Sequence, residues 1–188
     1  MTGSENQTVA VDTDFILHLA EMKNCDPISL ARRFFEALRF SPVLNETLFV
    51  HELEPLSATV QLFFEQEIIH VLYFIGDLTN EKRVYFERVV RDIYYRLKGD
   101  QYPLSSVFSG WEKKSSFGEI HSVAMCILMQ LHIFLSDDKD SKIIERIVRN
   151  SMGRNSSVTV LTRADAVGII PEDSSLSRAE KRKIGHQR

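Results

Sequence analysis

The feature that most limits what this chain can fold into is an alternation of two periodicities. Short runs of β-branched and apolar residues recur between longer segments spaced as helices, an order that calls for parallel strands joined by helical crossovers. The first pair is "TVAVD", a β-branched run ending in an acid, followed by "TDFILHLAEMK", where Phe15, Leu19 and Met22 share a helical face. In "DPISLARRFFEALRF" Asp26 reads as an N-cap and Pro27 as the first helical residue, so a second helix starts there and stops before Ser41-Pro42. A strand is expected near Leu48 to His51, and residues 55–75, apolar nearly all round, read as one core helix. Residues 80–98 form the most regular helical pattern. Phe86, Val89, Val90, Ile93 and Leu97 line one face, Arg88, Arg91, Tyr95 and Lys98 the opposite one, and Gly99 ends it. A loop-like stretch then leads to a helix over 119–130, a strand over 132–136, a helix over 139–149 and a strand over 158–161. The expected fold class is α/β, a three-layer sandwich with a central parallel sheet, a helical insertion at about 55–98 and a basic C-terminal tail.

Composition bounds the rest. With 188 residues and 44% hydrophobic content, the chain can bury the core of one globular domain, expected over 8–170, between a disordered start at 1–7 and a tail at 171–188. No apolar run reaches the roughly 18 residues of a membrane span, and "MTGSENQT" lacks the basic and apolar stretches of a secretion signal. The expectation is a cytoplasmic protein with no membrane partner. Cys25 and Cys126 have no zinc-like spacing and read as reduced thiols. The net charge of -3 is uneven: residues 177–188 carry +4, which leaves -7 on the remainder. An acidic body of this kind repels nucleic acid unless metal ions or local basic patches offset its charge.

In an open parallel sheet ligands bind at the carboxyl ends of the strands, so acids that directly follow strands converge. Asp12 follows "TVAV", Asp137 and Asp138 follow "HIFLS" with Asp140 close behind, and Glu52 and Glu54 follow the strand expected at "TLFVH". Glu119 opens the helix that leads into the fourth strand. Carboxylates gathered from four segments repel one another without cations, and an all-oxygen ligand set suits Mg2+ or Mn2+. Each acid also has an ordinary reading: Asp12 as a strand-end turn residue, Glu119 as a charge at a helix N-terminus, and one of Asp137 and Asp138 as the cap of the next helix. His51 and His121 read as packed histidines beside the acids. An EF-hand loop is excluded, because "DDKDSKIIERIV" puts Ile143 and Ile144 where ligands and a glycine belong.

The segments "VDTDFIL", "GEIHSVAM" and "FLSDDKD", in that order, resemble a PIN-domain nuclease over roughly residues 8–162. Asp12, Thr13 and Asp14 match the family's first-strand motif, with Asp14 where Asn is usual. Glu52 or Glu54 corresponds to the second acid, Glu119 to the third, and Asp138 to the fourth, with Asp137 and Asp140 as neighbours. The resemblance implies a metal-dependent endoribonuclease in which Asp12, Glu119 and Asp138, with Asp137 and Asp140 beside the last, hold Mg2+ or Mn2+ and, joined by Glu52 or Glu54, activate water on a phosphodiester. Thr13, Asp14 and Ser136 would meet the substrate beside them. Arg88, Arg91 and Lys98 on the long helix, and Lys181, Arg182 and Lys183 in the tail, are candidate RNA-backbone contacts. Partners implied are RNA, a second copy of the chain, or an antitoxin-like protein. Two other readings use the same residues. "VAVDTDFI" also resembles the strand-end motif of haloacid-dehalogenase-type phosphatases, with Asp12 as nucleophile, and a non-catalytic PIN-like module would bind RNA or protein without cleavage.

Overall fold

In the computed structural model, the residues described are 6–45, 58–71, 78–108, 117–151 and 158–186. The strand β1 (Gln7–Val11) passes through Asp12 into α1 (Thr13–Ala20), and α2 (Pro27–Leu38) follows. Asp26 caps α2 as expected, its carboxylate accepting the Ser29 N–H at 2.9 Å, with Pro27 at the first turn. Then come β2 (Phe40–Asn45), α3 (Ala58–Glu65), β3 (His70–Val71), α4 (Asn80–Lys98), α5 (Phe117–Met129), β4 (Ile133–Leu135), α6 (Lys139–Ser151), β5 (Thr159–Leu161), α7 (Arg163–Gly168) and α8 (Arg178–Gly185). The strands form one sheet in the order β3-β2-β1-β4-β5, parallel throughout. The chain is therefore α/β.

Two local expectations change. The second strand is β2, directly after α2, whereas the expected strand at Leu48 to His51 lies outside the described residues. Pro42 argues against a strand in this segment. It is accommodated because the β1–β2 register slips between Gln7 and Val9, so that two steps of β1 oppose three of β2. A bulge is where a residue without an N–H can sit in a ladder. The single helix expected at 55–75 is instead α3, a turn and β3. Glu67 takes a left-handed φ of 53°, which ends the helical path, and the β-branched Ile68 and Ile69 lead into the strand. β3 pairs with β2 through Leu44↔His70 and Asn45↔Val71, so residues 70–71, inside the expected helical insertion, are a strand at the sheet edge. The basic tail, which reads as a frayed or short surface helix, forms α8 over residues 178–185.

The chain divides into two compact units. The first comprises residues 1–72, 135–137 and 161–188, the second 73–134 and 138–160, so β4 and β5 each begin in the second and end in the first. In the first unit Phe15, Ile16 and Leu19 of α1 are fully buried with Leu30 and Phe34 of α2, and the Phe15 and Phe34 rings lie 6.0 Å apart. Each such side chain contributes about 1.5–3 kcal/mol by leaving water. In the second unit α4, α5 and α6 pack on one another. The expected apolar face of α4 is the buried one, through Phe86, Val89, Val90 and Ile93. Thr79 caps its start and Gly99, at φ 72°, its end. The α5 helix is buried nearly all round, from Phe117 through Ile127, which accounts for its unbroken apolar sequence. No described helix is long and apolar enough to cross a membrane.

Candidate functional site at the carboxyl edge of the sheet

The first unit gathers chemistry where β1, β2, β4 and β5 end. Asp12 stands between β1 and α1 and is 9% exposed. It occupies the N-cap position of α1 but makes no side-chain cap bond, and its N–H donates to the Leu135 carbonyl at 2.8 Å. One carboxylate oxygen accepts the Ser136 hydroxyl at 3.0 Å. Ser136 is itself fully buried, and its N–H donates to the Leu161 carbonyl at 3.1 Å. The backbone ladder thus fixes both ends of this interaction. Asn45 ends β2, fully buried, and its side-chain amide donates to the Val11 carbonyl at 2.8 Å, tying the β1 and β2 termini together. Thr13 presents a buried hydroxyl with no hydrogen-bond partner among the described residues, while Asp14 is exposed on the first turn of α1.

Asp137 has a different task. It accepts the Arg163 N–H at 2.9 Å and the Arg163 Nε, and the two side chains are 18% and 9% exposed. The pair joins the segment after β4 to the first residue of α7. Nη1 of Arg163 is buried and has no hydrogen-bond partner among the described residues. Neither Arg163 nor Asn45 stands out in the sequence. An arginine two residues after a strand, in "VLTRAD", is the only signal that flags the first.

The other expected site residues fall elsewhere. Glu52 and Glu54, with His51, lie outside the described residues. Glu119, Asp138 and Asp140 belong to the second unit. Glu119 is half-buried in the first turn of α5. Asp138 caps α6, accepting the Asp140 N–H at 2.6 Å, and Asp140 lies 3.8 Å from Lys98. Asp138 is therefore the cap of the pair, while Asp137 holds an arginine. Arg91 pairs with Glu87 at 2.7 Å and donates to the Ser105 carbonyl at 3.0 Å, and Arg88 lies over the Tyr85 ring at 5.2 Å. His121 is buried beside Phe86 and Phe117, with Nδ1 2.7 Å from the Phe117 carbonyl and Nε2 2.7 Å from that of Val107. Burial holds its pKa below the ordinary histidine value and outweighs the opposing pull of the two carbonyls. Nearby, burial pushes the Tyr102 phenol up to about 12. Lys181 donates to the Pro171 carbonyl at 2.8 Å.

Among the described residues no three His, Cys, Asp or Glu side chains come together as a metal-binding group. The first unit's edge nevertheless offers only hard donors of the kind Mg2+ and Mn2+ prefer: the Asp12 carboxylate and the Ser136 and Thr13 hydroxyls, the last without a partner among the described residues. Mg2+ is commonly held by one or two carboxylates, with water and substrate phosphate completing its shell. These residues fit an ion anchored at Asp12. Compared with protein-family models, with curated proteins and with solved structures, the chain matches none.

Proposed function

We propose that the chain is a PIN-like, metal-dependent endoribonuclease whose centre is Asp12. The observation that carries this reading is the Ser136 hydroxyl on the Asp12 carboxylate at 3.0 Å, 124 residues apart in sequence. It joins two of the segments on which the nuclease resemblance rests, "VDTDFIL" and "FLSDDKD", at the sheet edge where parallel α/β folds place their ligands. When bound there, Mg2+ or Mn2+ would lower the pKa of a bound water and neutralise charge on the phosphate.

The chain's own residues then have separable tasks. Ser136 fixes the orientation of the Asp12 carboxylate and satisfies one of its oxygens, which a buried acid requires. Asn45 keeps the β1 and β2 ends in register beneath it. Arg163, held by Asp137, ties the segment that carries Ser136 to the start of α7. The further acid this reading would recruit beside Asp12 is Glu52 or Glu54.

The test is hydrolysis of end-labelled single-stranded RNA with Mg2+, with Mn2+ and with chelator, in parallel with a small phosphate monoester. The expected result is metal-dependent internal cleavage that Asp12→Asn abolishes. Cleavage that survives this substitution, or turnover of the monoester alone, would overturn the reading, and the second outcome would favour the phosphatase.

A further inference from the structure

The first unit contains a cavity of about 350 Å³ at the far end of α1 from Asp12, where the turn after α1 meets the end of α8. Its lining includes Lys23 from the turn, Arg182 and Lys183 from α8, the imidazoles of His18 and His186, and one carboxylate, Glu21. Three full cations thus face a single acid. None of the three has an ion-pair partner among the described residues. In a chain of net charge -3 such a concentration of positive charge is local.

The position of these cations is built. α8 begins with a capping box in which Ser177 and Glu180 bond each other's backbone N–H groups. Ile184 is fully buried beneath it. Arg33 of α2 grips Glu180 through two bonds of 2.6 and 3.3 Å and donates to the Ser175 carbonyl at 3.0 Å. The helix's only acid is thereby committed to docking, and Arg182 and Lys183 are left toward the cavity. Both sit in the last turn of α8, where the helix dipole stabilises cations. The volume lies at the small end of the range for ligand pockets. A guanidinium fork beside two ammonium groups matches phosphate oxygens, and two imidazole rings offer flat faces and further donors.

We propose that this cavity binds the phosphate group of a nucleotide. Resting on the ribonuclease reading, the inference is that the nucleotide belongs to the RNA strand and that the cavity holds it beyond the scissile bond, so that an acidic chain captures a polyanion with one ordered basic pocket.

The experiment measures binding of a fluorescein-labelled oligouridylate by anisotropy across a salt series, in chelator so that no cleavage intervenes, with uridine monophosphate and inorganic phosphate as competitors. The double variant Arg182→Glu/Lys183→Glu should weaken binding about tenfold or more. It should also flatten the slope of log affinity against log salt by about 0.7 for each phosphate the protein no longer neutralises. Lys139→Glu/Arg146→Glu on α6 makes the same change in net charge and should have a much smaller effect. Lys23→Glu, on the exposed turn across the cavity, decides the matter should the α8 variant fail to fold. Weak competition by the mononucleotide assigns the site to the strand, and saturable mononucleotide binding that disappears in the variants assigns it to a free nucleotide. Equal weakening by the α6 and α8 variants, or unchanged binding in Lys23→Glu and the α8 double variant alike, overturns the proposal. The two readings fail separately: RNA bound through the cavity but never cleaved removes the nuclease, and cleavage with unchanged binding in the variants removes the cavity site.

Discussion

Ser136→Ala removes a hydroxyl donor from a buried carboxylate oxygen of Asp12 without touching the backbone ladder. It should lower stability by about 1–3 kcal/mol in urea melts, the cost of depriving a buried acceptor of its hydrogen bond, and reduce RNA cleavage roughly 10- to 100-fold through misorientation of Asp12. Full activity in this variant would show that the hydrogen bond is structural only. The Asp137 and Arg163 side chains form a mostly buried pair, so removing either one leaves the other's charge uncompensated. Asp137→Asn and Arg163→Met should each cost about 3 kcal/mol, and the double variant much less than their sum. Additive losses in that cycle would mean the two side chains act independently. These pairings also show how far single residues are legible. Asp12 and Ser136 are marked by their strand-end positions, but the exchange of tasks between Asp137 and Asp138 is not, because adjacent aspartates before a helix have the same local chemistry. Which one caps α6 depends on Arg163, 26 residues further on than Asp137.

At the scale of elements, two helices carry titrating groups whose pKa shifts make stability depend on pH. In α8 the hydrogen bonds from Arg33 hold the Glu180 carboxyl down to about 2, against an ordinary value of 4.5. A carboxyl lowered in the folded state stabilises it above pH 4.5, and the contribution fades as pH falls toward 2. Acid titration of the helical signal should therefore show a step in that window that Glu180→Gln abolishes. A titration identical in the variant would detach the pair from the docking of α8. In α5 burial holds His121 below the ordinary 6.5, so the unfolded chain binds the proton more readily than the folded one. Stability is complete above pH 6.5 and falls as pH drops below it, and melting temperatures should decline from pH 7.5 to 5.5 less steeply in His121→Phe than in the parent. An identical decline in both would point to other groups. The elements most legible in sequence are α2 and α4, whose caps and apolar faces are local properties. β3 is hidden in an apolar run, since periodicity cannot separate a buried helix from a helix followed by a short buried strand.

For the whole molecule, a metal ion held at the sheet edge must couple to global stability, because only the folded chain forms the site. Mg2+ or Mn2+ at 100 times its dissociation constant should raise the unfolding free energy by about 2.7 kcal/mol, and chelator should reverse the gain. In Asp12→Asn the shift should vanish, while the melting point without metal stays close to that of the parent. A metal-induced shift of equal size in both proteins would place the ion elsewhere.

The sequence by itself determined the alternation of strand and helix, the parallel sheet that alternation requires, the caps of α2 and α4, and the placement of Asp12 at a strand's end, all consequences of neighbours within a few residues. Tertiary structure alone decided the rest. It set β2 beside β1 through a bulge that accommodates Pro42 and made residues 70–71 a sheet edge. It gave Asp137 to Arg163 and docked the short basic helix near the C-terminus through Arg33, 147 residues away from Glu180 in sequence. The physical reason is common to all four. Strand pairing, ion pairing and burial depend on which distant segment arrives at a given surface, and a local pattern of side chains records what each segment can bury or bond but not the partner it meets.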